Sequence, residues 1–176
     1  MRSLQLPDEE LVLVVLKDNE RYRELMERYE VELLAYCSYL VKNPIVATEV
    51  LQEAFIAAYK NLKSFSPKTK FATWIYRVTH DEIVKSLKAK NHKHILEAEG
   101  FEEEFEQVGN FEENALSADL VSKVRKNNGK VPFKYRDPLV LHFLLRKSIT
   151  EISDIIRVSP QIVEERIAKA EQIIKK

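Results

Sequence analysis

Glycine is absent from the first 99 residues; the three present, Gly100, Gly109 and Gly129, all lie beyond them. Tight hairpins need backbone at positive φ, which glycine supplies without steric cost. A chain that does without it for so long is not built from β-hairpins. Hydrophobic residues make up 45% and charged residues 32%, enough for amphipathic helices around a core and too structured for generic disorder. A lone cysteine, Cys37, excludes an intramolecular disulfide framework and a multi-cysteine metal site, and fits a reducing compartment. The longest apolar run, Leu11 to Leu16, follows an acidic triplet and falls far short of the ~18 residues of a membrane span. No basic-then-apolar leader opens the chain. The expectation is a soluble cytosolic or nuclear protein.

The net charge of zero conceals a division of sign. Residues 1–90 carry 14 Lys/Arg against 13 Asp/Glu, residues 91–120 one lysine against nine acids, and residues 121–176 13 bases against six acids. The pattern predicts an all-α chain of two small helical domains, 1–92 and 119–176, joined by an acidic linker at 93–118. In the linker, glutamates alternate loosely with Phe101, Phe105 and Phe111. Either it is a solvated connector, or it is an acidic-aromatic strip for a basic partner.

Helix signals are plain in the first domain. Pro7 followed by Asp8, Glu9 and Glu10 reads as a helix start, with acids at the positive end of the dipole. Asn19 is placed to cap a second helix whose apolar positions run 22, 25, 26, 29, 33, 36, 37 and 40. Pro44 opens a third helix, to about Leu62. Residues 63–70 read as a Ser/Pro loop. A fourth helix runs from Phe71 to about Lys90, with Trp74, Ile75, Val78 and Leu87 as core candidates. In the second domain, Pro132 to Leu145 is a helical region interrupted early by Pro138. Ser148-Ile149-Thr150-Glu151 matches a capping box before Ile152, Ile155 and Ile156. Ser159 and Pro160 open a last helix, with Val163, Ile167, Ala170 and Ile174 as its buried stripe. Two short helices around a tight turn outline a helix-turn-helix.

Catalysis finds no constellation: there is no Gly-rich phosphate loop, no His-Glu-x-x-His and no nucleophile elbow. His92-x-His94 reads as a solvated pair, not a metal site, and no cofactor is called for. Binding fares better. Residues 60–90 hold eight Lys/Arg against Asp81 and Glu82. Arg77, His80, Asp81, Val84, Lys85 and Lys88 fall on one strip of the fourth helix by 3–4 spacing. Phe65, Phe71, Trp74 and Tyr76 interleave with this charge, the chemistry that neutralises phosphates and stacks unpaired bases. For Phe71 and Trp74, core packing is an equally good explanation.

From Asp18 through Lys90 the chain resembles domain 2 of bacterial RNA polymerase sigma factors of the extracytoplasmic-function group. The resemblance rests on Arg28-Tyr29, Asn43-Pro44, the run Ala47 to Phe55, and Phe71-Ala72-Thr73-Trp74-Ile75-Tyr76-Arg77-Val78. Val131-Pro132 through Ala170 resembles domain 4, on Tyr135-Arg136, Ser148-x-x-Glu151-Ile152-Ser153 and Val158-Ser159 through Val163 with Arg166. The resemblance implies a cytoplasmic transcription initiation factor, not an enzyme, with no cofactor. Its implied partners are the β′ and β subunits of RNA polymerase core and promoter DNA, with an anti-sigma factor as a further candidate. Glu49, Gln52, Glu53 and Ile56 would dock on a β′ coiled coil. The loop with Lys63, Lys68 and Lys70, and the helix with Trp74, Arg77, His80, Lys85 and Lys88, would hold the −10 element and a flipped base. Ser159, Gln161, Arg166 and Lys169 would contact the −35 element. Against the family pattern, His80-Asp81 replaces Arg-Asn, Lys85 replaces an Asp, Arg157 replaces the glycine of the turn, and Glu164-Glu165 stand on the reading helix. The second reading is therefore a sigma-like regulator that binds polymerase or another protein without reading promoters.

Overall fold

The computed structural model describes residues 5–89 and 122–176, and among these there are helices and no strands. The linker and the His92-x-His94 pair at its start lie outside the described residues. Helix α1 (Asp8–Val15) starts where Pro7 and the acidic triplet predict and buries Leu11, Val12 and Val15. The second helix departs from expectation. Asp18, not Asn19, accepts from the Glu20 amide at 3.1 Å, and opens a 3₁₀ turn over Asn19–Arg21. Helix α2 (Tyr22–Glu27) then stops, and α3 (Glu30–Val41) restarts after Arg28 and Tyr29. Tertiary bonding explains the break. Arg28 donates to the Leu6 carbonyl and to Asp8, both at 2.7 Å, and the Tyr29 hydroxyl also donates to Asp8.

Lys42, left-handed at φ 55°, ends α3. The Asn43 side chain then accepts from the Val46 amide at 3.0 Å, with Pro44 at the first position of α4 (Pro44–Asn61). Helix α5 (Phe71–Lys88) has no cap from its own preceding residue. The Glu9 carboxylate from α1 takes the Phe71 amide instead, at 2.9 Å. Phe71, Ile75, Tyr76 and Ile83 are buried, while Trp74, Val78 and Leu87 are only partly so.

Helix α6 (Phe133–Phe143) runs through Pro138 without the expected interruption. The ring is buried, so packing offsets the one backbone hydrogen bond proline removes. Helix α7 (Ile149–Ile156) has both halves of the capping box, the Glu151 amide on Ser148 Oγ at 3.2 Å and the Ser148 amide on Glu151 at 2.8 Å. Those bonds hold the Glu151 carboxyl below its ordinary pKa. The turn passes through Arg157 in the left-handed region (φ 57°, ψ 47°), where a side chain costs about 1–2 kcal/mol that glycine avoids. Ser159 then caps α8 (Pro160–Ile174), which buries Val163, Ile167, Ala170 and Ile174 as its spacing predicts.

The two halves do not stand apart. Helix α5 packs on α7, and α3 on α6. Buried residues of both halves join in one apolar cluster, from Leu11 through Ile83 to Leu139, Ile152 and Ile174.

Candidate polymerase and nucleic-acid interfaces

Helix α4 separates its residues cleanly. Val46, Ala47, Val50, Leu51, Ala54 and Ala58 are buried, while Glu49, Gln52, Glu53 and Ile56 are all exposed. Ile45 (70% exposed), Ile56 (47%) and Tyr59 (45%) add apolar area to this face. The result is an acidic, amide-bearing surface with an apolar component, suited to a partner of basic and apolar character. Beside it a cleft of about 350 Å³ runs between α4 and α5, lined by Glu49, Gln52, Glu53, Glu82 and Lys85 among others. Lys85, which sequence spacing assigns to the DNA strip, therefore lies by the α4 face and pairs with Glu82 at 3.3 Å.

The loop lysines Lys63, Lys68 and Lys70 are exposed. Behind them stands a cluster of rings. Phe71 lies 5.5 Å from Tyr29, Phe65 and Trp74, and Phe65 lies 5.7 Å from Trp74. Phe71 is wholly buried and belongs to the core. Trp74 is half-buried, supported from below by Phe65 and Phe71.

The rest of the predicted α5 strip meets the second half of the chain. Arg77 Nε donates to the Asp154 carbonyl at 3.0 Å. His80 Nδ1 lies 3.0 Å from Asp137 and 3.2 Å from the Tyr36 hydroxyl, with its ring stacked on Phe133. Only 12% of the His80 side chain is exposed, so in this arrangement it is an inter-helix group. Asp81 receives Arg157 in a two-pronged pair at 2.6 and 2.9 Å, which favours the charged guanidinium. Lys88 remains exposed. It lines a cleft of about 450 Å³ with Lys42, Arg136, Val84, Leu87 and Phe133.

Sequence reasoning missed the groups that join the halves. Asp137 is 3% exposed and accepts from the buried Tyr36 hydroxyl at 2.7 Å. Burial and the Asp137 charge push the Tyr36 phenol well above its usual pKa. Arg136 donates to the Leu40 carbonyl at 2.9 Å, and burial draws its pKa down to about 10. Burial, with Arg136 nearby, lowers Lys42 to about 8. Lys147 sits over the Tyr76 ring and 3.7 Å from Glu32, which itself accepts from Tyr76. The available signal was the charged pair Arg136-Asp137 directly before the apolar run Pro138 to Leu141.

On α8, Ser159 and Gln161 are exposed but engaged. The Ser159 hydroxyl caps the helix through the Ile162 amide, and Gln161 reaches Glu165 at 3.4 Å. Lys169 is exposed and Arg166 partly so, beside exposed Glu164 and Glu165.

A helical unit with an exposed polar α4 face is followed by a capped helix-turn-helix, the arrangement expected of a sigma-type transcription factor. The family model for sigma-70 region 2 matches residues 25–93. Sigma-E of Escherichia coli K12 is 32% identical over 181 residues, spanning 98% of this chain and 94% of that protein. SigW of Bacillus subtilis is 28% identical over 167 residues, spanning 90% and 89%. The chain belongs to the ECF group of RNA polymerase sigma factors. The fold is shared with CnrH, solved in complex with the cytosolic domain of CnrY (TM-score 0.67, 21% identity, 96% and 94% covered). It is shared also with RpoE of Bartonella quintana, solved with the anti-sigma factor NepR (TM-score 0.64, 13% identity, 90% and 95% covered). Among the described residues no helix is long and apolar enough to cross a membrane.

Proposed function

We propose that this sigma factor brings RNA polymerase core to promoters by docking the exposed face of α4 on the β′ coiled coil. The supporting observation is the gathering of Glu49, Gln52, Glu53 and Ile56 on one solvent face within the region 2 match. The loop 63–70, Trp74 and α5 hold the −10 element, and α8 meets the −35 element. The factor works in the cytoplasm without catalysis of its own, and an anti-sigma factor is a further partner. Glu53→Lys reverses one charge on an exposed face and leaves the buried face of α4 intact. It should abolish co-purification with core polymerase while circular dichroism stays unchanged. Undiminished co-purification would overturn the docking face. Transcription from genomic DNA with purified core then tests promoter reading.

A weak contribution from α8 fits its exposed glutamates. A carboxylate in the major groove accepts only from a cytosine amine and is otherwise repelled by the phosphates. Replacing Glu164 by Lys should tighten duplex binding and steepen its salt dependence, measured by anisotropy over a salt series.

A further inference from the structure

The cleft of about 450 Å³ at the ends of α3 and α5 is lined by three cations, Lys42, Lys88 and Arg136, and by Val84, Leu87 and Phe133. Among the described residues no carboxylate lines it. Lys42 and Lys88 stand at the carboxyl ends of their helices, where each dipole supplies roughly half a negative charge. Two half-charges do not balance three full ones. Arg136 commits its terminal nitrogens to the Leu40 and Val131 carbonyls, and its buried Nε has no partner. Asp137, its neighbour in sequence, is engaged by Tyr36 and His80. Burial and Arg136 together draw Lys42 down to about 8, a penalty on its charge that a bound anion would relieve.

We propose that this cleft binds a phosphate monoester with a small apolar body, its phosphate among Lys42, Lys88 and Arg136 and its body against Val84, Leu87 and Phe133. The volume is that of a small-ligand pocket, and apolar walls with a few convergent charges are the usual lining of one. Lysine ammonium groups act as point charges, without the paired donors that select a planar carboxylate. The Arg136 fork is already held by carbonyls. Three separate charges therefore face the ligand, and a phosphate with three terminal oxygens meets them better than a carboxylate with two. A nucleic-acid backbone fits poorly, because Arg136 is 8% exposed and Lys42 is partly buried, leaving only Lys88 in the open. The ligand enters the chain as it is packed, and the cleft shares no residue with the α4 docking face.

Calorimetric titration of the full chain with naphthyl phosphate tests the site. One saturable site is expected. Inorganic phosphate and naphthol each lack half of the ligand and should bind at least ~tenfold more weakly. Naphthoate, with one charge and two oxygens, should fall between them and the phosphate ester. Lys42→Met keeps the stem, removes a partly buried charge and should weaken binding ~tenfold. Lys88→Met, at an exposed position, should weaken it ~two- to fivefold. Val84→Glu sets a carboxylate among the cations and should abolish binding. Lys60→Met, exposed on α4 and outside the cleft, should change nothing. Naphthyl phosphate should also raise the melting temperature of the parent chain and leave that of Val84→Glu unchanged. No saturable binding overturns the proposal, as does unchanged affinity in Lys42→Met. Naphthol binding as tightly as its phosphate would make the cleft a purely apolar trap, and sensitivity to Lys60→Met would mean adsorption over the whole surface; either overturns it. An oligonucleotide that senses Lys42 where naphthyl phosphate does not would assign the cations to nucleic acid and overturn it too.

Discussion

Asp137→Ala should lower the unfolding free energy by about 3–5 kcal/mol, a large share of a domain's stability. Asp137 is almost wholly buried, and two groups of the first half converge on it, the Tyr36 hydroxyl at 2.7 Å and His80 Nδ1 at 3.0 Å. Alanine leaves a fully buried phenol and a nearly buried imidazole without their acceptor, and each hydrogen bond to a charged group is worth about 1.5–3 kcal/mol. Asp137→Asn keeps an acceptor for Tyr36 and should cost less than half as much. Tyr36→Phe with Asp137→Ala should be far from additive, since the two share one bond. Urea denaturation followed by the fluorescence of Trp74, the lone tryptophan, measures all three. A loss under 1 kcal/mol for Asp137→Ala would show that the buried carboxylate does not join the halves.

The seam that Asp137 holds also marks where sequence reasoning ends. Helical spacing reports which residues share a face, and it placed Glu49, Gln52, Glu53 and Ile56 together on the exposed side of α4. It likewise found the buried stripe of α8 and the capping box of α7, because caps and stripes are local. It cannot report what a face meets. The α5 strip is a real strip, yet Arg77, His80 and Asp81 are turned toward partners 57 to 77 residues away. The break at Arg28-Tyr29 escaped for the same reason, since nothing within one helical turn calls for it. Leu6 and Asp8, 20 to 22 residues upstream, draw both side chains aside. Pro138 errs in the opposite direction. Local rules predict an interruption, and burial of the ring overrides them.

Phe71→Ala should be as damaging as the loss of Asp137, by about 3–5 kcal/mol, and its effects should centre on the proposed DNA-binding loop. Phe71 is fully buried at the first position of α5, with its ring centre 5.5 Å from those of Tyr29, Phe65 and Trp74. Removing it opens a cavity among rings that are rigid and unable to close over it. Phe65 anchors the end of the loop through this cluster, and Trp74 rests on it. Loosening should therefore reach residues 63–70 before α3 or α8. Trp74 emission should shift to the red in the folded state, and limited proteolysis should cut first within 63–70. Phe71→Leu refills much of the space and should recover more than half of the loss. The Glu9 bond to the backbone amide at residue 71 survives both substitutions, so the start of α5 stays capped and the effect isolates ring packing. Glu9→Gln, which weakens that cap while leaving the rings intact, should cost only about 0.5–2 kcal/mol. If alanine at 71 left emission and loop cleavage unchanged, the ring cluster would not be what fixes the loop.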